Sequence, residues 1–412
     1  MTGRRVVVTG IGALTPIGHG ADGLWKGVLA DRSAVRCIDR FDPRDFPSQV
    51  AAQINDFEAA DHLDARRARR LDRFSQLAVA ASRAAAADSG FPLDAHRETT
   101  GVFIGSALGG VAFAEEQHVR YVEGGLRMVA PTLALAVFGG AGAANVAIDL
   151  GISGPSIGNA NSCASGAVAI GQAFHAIRDG EIDAALAGGA EAPLAPLTFG
   201  AFAMIRVLSQ RNDDPPTASR PFDAGRDGFV MAEGAAMLML EERELAERRG
   251  ARIVAELRGY ATTNDAHHMT APRPDGRQAA RAMSAALADA ALPPDAVEYV
   301  NAHGSSTVLN DPVEADAIRT ALGDHADAVS VSGTKGLYGH PLGASGAIEA
   351  AICSLVIDRG VLPGTCNLTD PDPSCRVPLL TAAQPRRVNV VLSNSLGFGG
   401  INAALVVGRY EG

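Results

Sequence analysis

The chain has 412 residues, 47% of them hydrophobic and 20% charged, with a net charge of -10. This composition excludes a disordered chain, and the acidic balance speaks against a general nucleic-acid binder while leaving room for a local basic patch that meets an acidic partner. At roughly 150 residues per domain, the length holds two or three folding units.

Among 36 basic residues only Lys26 and Lys335 are lysines. GC-rich coding bias explains most of that excess of arginine, and it raises the question of why lysine is kept where it is. The five cysteines, Cys37, Cys163, Cys353, Cys366 and Cys375, are odd in number and lack CxxC spacing. They read as reduced thiols of a cytoplasmic protein.

In chain order, Arg5 to Thr9 predicts a buried strand that meets a tight turn at Gly10-Ile-Gly12. The turn resembles half of a dinucleotide fingerprint, but Thr15 stands at the third glycine position, which argues against a nucleotide cofactor. Next, Leu71, Phe74, Ala78, Ala81 and Ala85 recur at spacings of three and four and predict a helix starting near Asp64. Arg66, Arg67, Arg69, Arg70 and Arg73 crowd its start and oppose the helix dipole. A solvated face is the default reading of such a cluster. The apolar stretch from Ala130 to Ile148 holds Pro131 and three glycines, and predicts a buried, glycine-loosened helix rather than a membrane span.

Cys163 follows a polar, small-residue segment and precedes a long apolar one, so a strand-to-helix elbow is expected there. The helix N-terminus would stabilise a thiolate. The alternative is a buried cysteine that acts as a small hydrophobe. Further short apolar runs lie at 101–104, 184–187, 235–240, 297–300, 329–331 and 388–392, with Ala-rich helical stretches between several of them. This alternation indicates an α/β protein with a buried sheet. The charged segment Glu241 to Arg252 lacks strand pattern and is the expected boundary between halves spanning 1–250 and 251–412.

In the second half, His303 follows a strand into a Gly-containing loop, and so do Lys335 and His340. Strand ends of this kind commonly carry catalytic groups. Glu349, in an Ala/Ile/Cys environment, would need a cation partner. Cys163 to Gly180 aligns with Gly343 to Gly360 at an offset of 180 without a gap, matching at six of 18 positions. That suggests one duplicated unit, with cysteine at the first elbow and glycine at the second.

The motifs RRVVVTGIGALTPIG, RPFDAGRDGFVMAEGAA, NDAHHMTAP, NAHGSST, TKGLYGHPLGASGAIEA and SNSLGFGGINAAL, in that order, resemble the elongating β-ketoacyl-acyl carrier protein synthases of the thiolase superfamily. The resemblance implies a thiolase fold with duplicated halves in a five-layered α-β-α-β-α core, and an obligate dimer. It implies decarboxylative condensation of malonyl carrier with an acyl chain on Cys163. His303 and His340 would stabilise the enolate, and Lys335 with Glu349 would hold the histidine loop. The N–H groups of Cys163 and Phe398 would form the oxyanion hole, with Phe398 gating the acyl pocket. Ser305, Thr307 and Thr270 match phosphopantetheine contacts, and Arg66, Arg69, Arg70 and Arg206 match the dock for acyl carrier protein. No metal, bound cofactor, nucleic acid or membrane is implied.

Departures from the commoner fatty-acid pattern at Asn161-Ser-Cys-Ala-Ser165, Lys335-Gly-Leu-Tyr-Gly-His340, Ser305 and Ala232 tilt the reading toward a type II polyketide or polyene ketosynthase, with a homodimer or a heterodimer with a chain-length-factor-like subunit. The alternatives are a housekeeping fatty-acid elongation synthase and a non-catalytic chain-length factor, which normally lacks the cysteine. Thiolases use a second cysteine and starter-type enzymes a histidine and an asparagine, so the two loop histidines disfavour both. A cysteine hydrolase is remote.

Overall fold

A computed structural model of the chain describes residues 3–412. The core strands are β1 (Val6–Thr15), β2 (Thr100–Gly105), β3 (Ser156–Asn159), β4 (Ala184–Glu191), β5 (Gly234–Glu242), β6 (Ala255–Asn264), β7 (Tyr299–Asn301), β8 (Ser330–Ser332), β9 (Val390–Gly397) and β10 (Ile401–Gly408). They follow the order β8-β7-β9-β10-β6-β1-β5-β4-β2-β3. The order is a palindrome of pairing types. From either end, two parallel pairings are followed by two antiparallel ones, and the halves join where Val6–Val8 of β1 meets Ala255–Leu257 of β6. Strands buried on both faces read as continuous apolar runs, as β4 and β5 do.

Six helices complete the layers: α1 (Arg73–Ser89), α2 (Ala141–Leu150), α3 (Ser165–Arg178), α4 (Arg277–Asp289), α5 (Asn310–Leu322) and α6 (Ser345–Arg359). Helices α3 and α6 pack on each other and on strands of both halves, in one central core. Helices α1 and α2 close the outer face of the first half over a second core, and α4 and α5 close the second half over a third. Three apolar cores separating helix and sheet layers give the five-layered α-β-α-β-α thiolase arrangement. Among the described residues, no helix is long and apolar enough to cross a membrane.

The structure departs from local expectation at four places. The strand β1 runs on through Gly10 and Gly12 instead of turning there. A Cβ at those positions would stand 2.3 Å from the Ala85 carbonyl oxygen and 1.9 Å from that of Ala81, so the glycines let α1 lie against the sheet. The helix expected near Asp64 is two: a single turn, Ala65–Ala68, capped by Asp64, and then α1, capped by Asp72. Each cap accepts backbone N–H bonds that would otherwise be unpaired at a helix start, and the second cap ends the first turn's continuity. The stretch 130–148 breaks between a short helix, Leu133–Ala136, and α2, and it exposes Leu135, Phe138 and Ile148. In the charged boundary segment, Glu241 and Glu242 belong to β5, where Arg249 neutralises the buried Glu241.

Candidate active site

The strand β3 runs into a tight turn at Asn161 and Ser162, where Ser162 takes a left-handed φ of 52°. A 3-10 turn, Ser162–Ala164, then opens α3. Backbone strain at such a non-glycine residue costs of order 1–3 kcal/mol and tends to collect at working sites. It aims Cys163 at the seam between the halves. The second half repeats the device: Leu342 has a φ of 36°, Leu342–Ala344 is a 3-10 turn, and α6 follows. Glu191, at the end of β4, ties the second elbow to the first half. Its carboxylate accepts from Gly343 N at 2.9 Å, Ala107 N at 2.6 Å and Ser106 Oγ at 2.9 Å.

The expected thiolate is not the resting state of Cys163. Burial pushes the thiol above its ordinary value, and the Ser162 hydroxyl, the Phe398 N–H and the Lys335 charge pull the other way without overturning it. Desolvation outweighs the helix N-terminus because the side chain is almost wholly enclosed. The Ser162 hydroxyl lies 3.8 Å from Cys163 Sγ.

The rings of His303 and His340 stand 5.1 Å apart and nearly perpendicular, at 81°. Burial, with the nearby Lys335 charge, holds both imidazoles well below their ordinary value, so both are neutral near pH 7. Lys335 is fully buried behind them. Its Nζ lies 2.5 Å from the His303 carbonyl oxygen and 3.3 Å from His303 Nδ1, and it contacts Glu349 Oε1 directly. An ammonium has three protons, and three acceptors surround it. Burial raises the Glu349 carboxyl, and the Lys335 charge draws it back. His340 Nδ1 lies 2.8 Å from Ser345 Oγ.

Cys163, His303, His340 and Phe398 line one cavity of about 160 Å³, with Ser305, Thr307, Thr270 and Arg206 also on its wall. Ser305 Oγ and Thr307 Oγ1 are 3.0 Å apart. The Phe398 ring stacks on Phe202, with centroids 6.3 Å apart and planes at 19°. Lys335 and Glu349 lie behind the wall, not on it. The basic cluster divides. Arg67 is bound to Asp149 and the Asn145 carbonyl, and Arg73 to the buried Glu233, so those two hold the fold together. Arg66, Arg69, Arg70 and Arg206 are exposed and have no ion-pair partner among the described residues.

Three buried acids escaped the sequence reading. Glu314 accepts from His303 N at 2.6 Å and Gly304 N at 2.8 Å, pinning the histidine loop from α5. Asp311 accepts from Phe222 N at 2.8 Å. Both lie on the inner face of α5 with Ala315 and Ile318, so acids at core spacing were the available signal. Glu191, the third, stands in a run of alanines and glycines and gave no periodic signal.

Two family models match the chain: the Beta-ketoacyl synthase N-terminal domain over residues 3–246 and the Beta-ketoacyl synthase C-terminal domain over residues 254–369. The chain is 43% identical to a Synechocystis protein named 3-oxoacyl-[acyl-carrier-protein] synthase 2 and 41% identical to one of that name from Coxiella burnetii, with 99% of each chain covered in both cases. Among solved structures, it matches a type II polyketide ketosynthase in complex with its acyl-carrier protein and bound to a hexaketide. The TM-score is 0.92 and the identity 34%, over 99% of this chain and 100% of that one. The ishigamide ketosynthase/chain length factor matches with a TM-score of 0.92 and 33% identity, again over 99% and 100%.

Proposed function

The chain belongs to the β-ketoacyl synthase family, and from that premise we propose how its residues carry out decarboxylative condensation. Cys163 takes an acyl group from a carrier thioester, and the carrier thiol leaves with the proton. A malonyl thioester then enters, its carboxylate leaves as carbon dioxide, and the electron pair stays on the α-carbon as an enolate. The Nε2 atoms of His303 and His340 donate to the enolate oxygen. The carbanion attacks the acyl carbonyl, whose oxyanion sits at the N–H groups of Cys163 and Phe398. Collapse expels the Cys163 thiolate and releases the 3-oxoacyl chain.

One observation carries this reading: two neutral imidazoles share a cavity with the cysteine while their Nδ1 atoms are engaged from behind. A cysteine hydrolase needs one basic histidine, not two neutral donors. The cavity is smaller than the roughly 300 Å³ of usual ligand pockets, so a long acyl chain requires Phe398 to leave Phe202.

The substrate arrives on the phosphopantetheine of an acyl carrier protein, with Ser305, Thr307 and Thr270 placed on the wall the arm would pass. The second chain of a dimer would cover the free edge of β3 and the exposed Leu126, Leu135, Phe138 and Ile148. The free cysteines support work in the cytoplasm. The departures at Ser162, Ser305 and the 336–338 segment support a polyketide or polyene chain. Greater identity to the 3-oxoacyl-[acyl-carrier-protein] synthases, 41–43% against 33–34%, favours the second reading, fatty-acid elongation.

Incubation with acyl carrier and then malonyl carrier, followed by mass spectrometry, tests the reaction. The expected result is an acyl mass on Cys163 and then a 3-oxoacyl product. No acylation, even with a partner subunit added, overturns it. Offering saturated against polyene or 3-oxo chains in competition separates the two pathways. For docking, reversal of Arg66 and Arg70 to Glu is expected to weaken carrier binding roughly tenfold at low salt, with the difference closing as salt rises. Unchanged affinity at low salt would remove that role.

A further inference from the structure

The backbone of His340 is pinned on both sides: its N–H donates to the Val230 carbonyl at 2.7 Å, and its carbonyl accepts from Ala232 N at 3.1 Å. What stays free is the ring's rotation and the choice of nitrogen that holds the proton. Ser345, the first residue of α6, reaches back to that ring, with Oγ 2.8 Å from Nδ1. Both side chains are buried, Ser345 completely.

The matching serine in the first half behaves differently. Ser165 opens α3 as Ser345 opens α6, and its hydroxyl donates to the Ser162 carbonyl at 2.6 Å. Leu342 is the counterpart of Ser162 and shares its left-handed backbone, yet Ser345 makes no bond to it. Among the described residues, the His340 ring is the only hydrogen-bond partner of the Ser345 hydroxyl. A buried hydroxyl proton needs an acceptor, and Nδ1 is the one at hand. When Nδ1 accepts, the neutral ring carries its proton on Nε2.

Building on the condensing reading above, we infer that Ser345 is a positioning residue whose hydroxyl donates to His340 Nδ1 and so fixes His340 as an Nε2–H donor toward the thioester oxygen. Lys335 does the same for His303 with an ammonium. A hydroxyl sets the second tautomer without adding another buried cation.

The test measures carbon dioxide release from malonyl carrier, and Cys163 acylation by intact mass, for Ser345→Ala, His340→Ala and the double variant. Ser345→Ala is expected to lower decarboxylation roughly tenfold, the range of one hydrogen bond, and to leave acylation intact. In the His340→Ala background it should add nothing, because the two residues act through one ring. Undiminished decarboxylation in Ser345→Ala, or a full further loss in the double variant, overturns the inference. The ring ¹⁵N signals of the wild-type protein, with His340 assigned by its absence in His340→Ala, give a separate reading. A proton on Nε2 is expected, and a proton on Nδ1 overturns the inference. If the wild type releases no carbon dioxide, the condensing reading fails, while the nitrogen signals still report the tautomer.

Discussion

Exchange of Lys335 for arginine is expected to keep the charge and lose condensation by at least about a hundredfold, with roughly 1–3 kcal/mol of stability lost to overpacking. Lysine fits because its three protons meet three acceptors at close range: the His303 carbonyl, His303 Nδ1 and Glu349 Oε1. A planar guanidinium offers five donors in a wide fork, and the site is fully enclosed. It would displace the His303 loop that Glu314 pins from the other side. Lys335→Ala is the harsher change, because Glu349 loses its counter-charge in a site where Oε2 already lacks a partner. Removal of one member of such a buried pair costs about 3–5 kcal/mol. Product formation and denaturant midpoints measure the two effects separately. A fully active Lys335→Arg enzyme would refute the account. The other lysine, Lys26, sits exposed on a surface helix.

Cys163→Ser is expected to lower acylation by at least about a thousandfold, the scale of losing a nucleophile. On the proposed mechanism no base stands ready to activate a hydroxyl there, since the Nδ1 atoms of both histidines are already engaged, by Lys335 and by Ser345. The wild-type thiol carries a pH signature. Because burial favours the protonated form, the thiolate fraction at pH 7 is small and grows about tenfold per pH unit. Alkylation of Cys163 by iodoacetamide should therefore climb with pH beyond 8.5. A plateau reached below pH 7 would show that the elbow lowers the thiol after all. Intact mass reports the acylation, and peptide mass after digestion assigns the alkylation to Cys163 apart from the exposed Cys37.

The sequence was legible where chemistry and chain order coincide. Cys163, His303, His340 and Lys335 each follow a strand into a turn of small residues, and Glu349 stands out as an acid among apolar neighbours. Their partners were illegible because contact across the fold has no local sign. Nothing near Glu191 announces that it grips Gly343, 152 residues away. Ser345 and Ser165 both open helices, and nothing local tells that the first turns its hydroxyl to a histidine ring and the second to a backbone carbonyl. Gly10 and Gly12 read as a turn because glycine's commonest use is flexibility, whereas here α1 needs the missing side chains. The arginines of 66–73 read as one patch until Asp149 and Glu233 claim two of them.

The paired elbows carry a historical consequence. If the halves descend from one ancestral unit, the second could once have held its own nucleophile. It no longer can: a Cβ at Gly343 would stand 2.3 Å from Ala107 N and 2.6 Å from a Glu191 carboxylate oxygen. The carboxylate that braces the glycine also bars any return to cysteine. The division of labour between the halves thus works as a ratchet, and reversing it would take several coordinated substitutions rather than one.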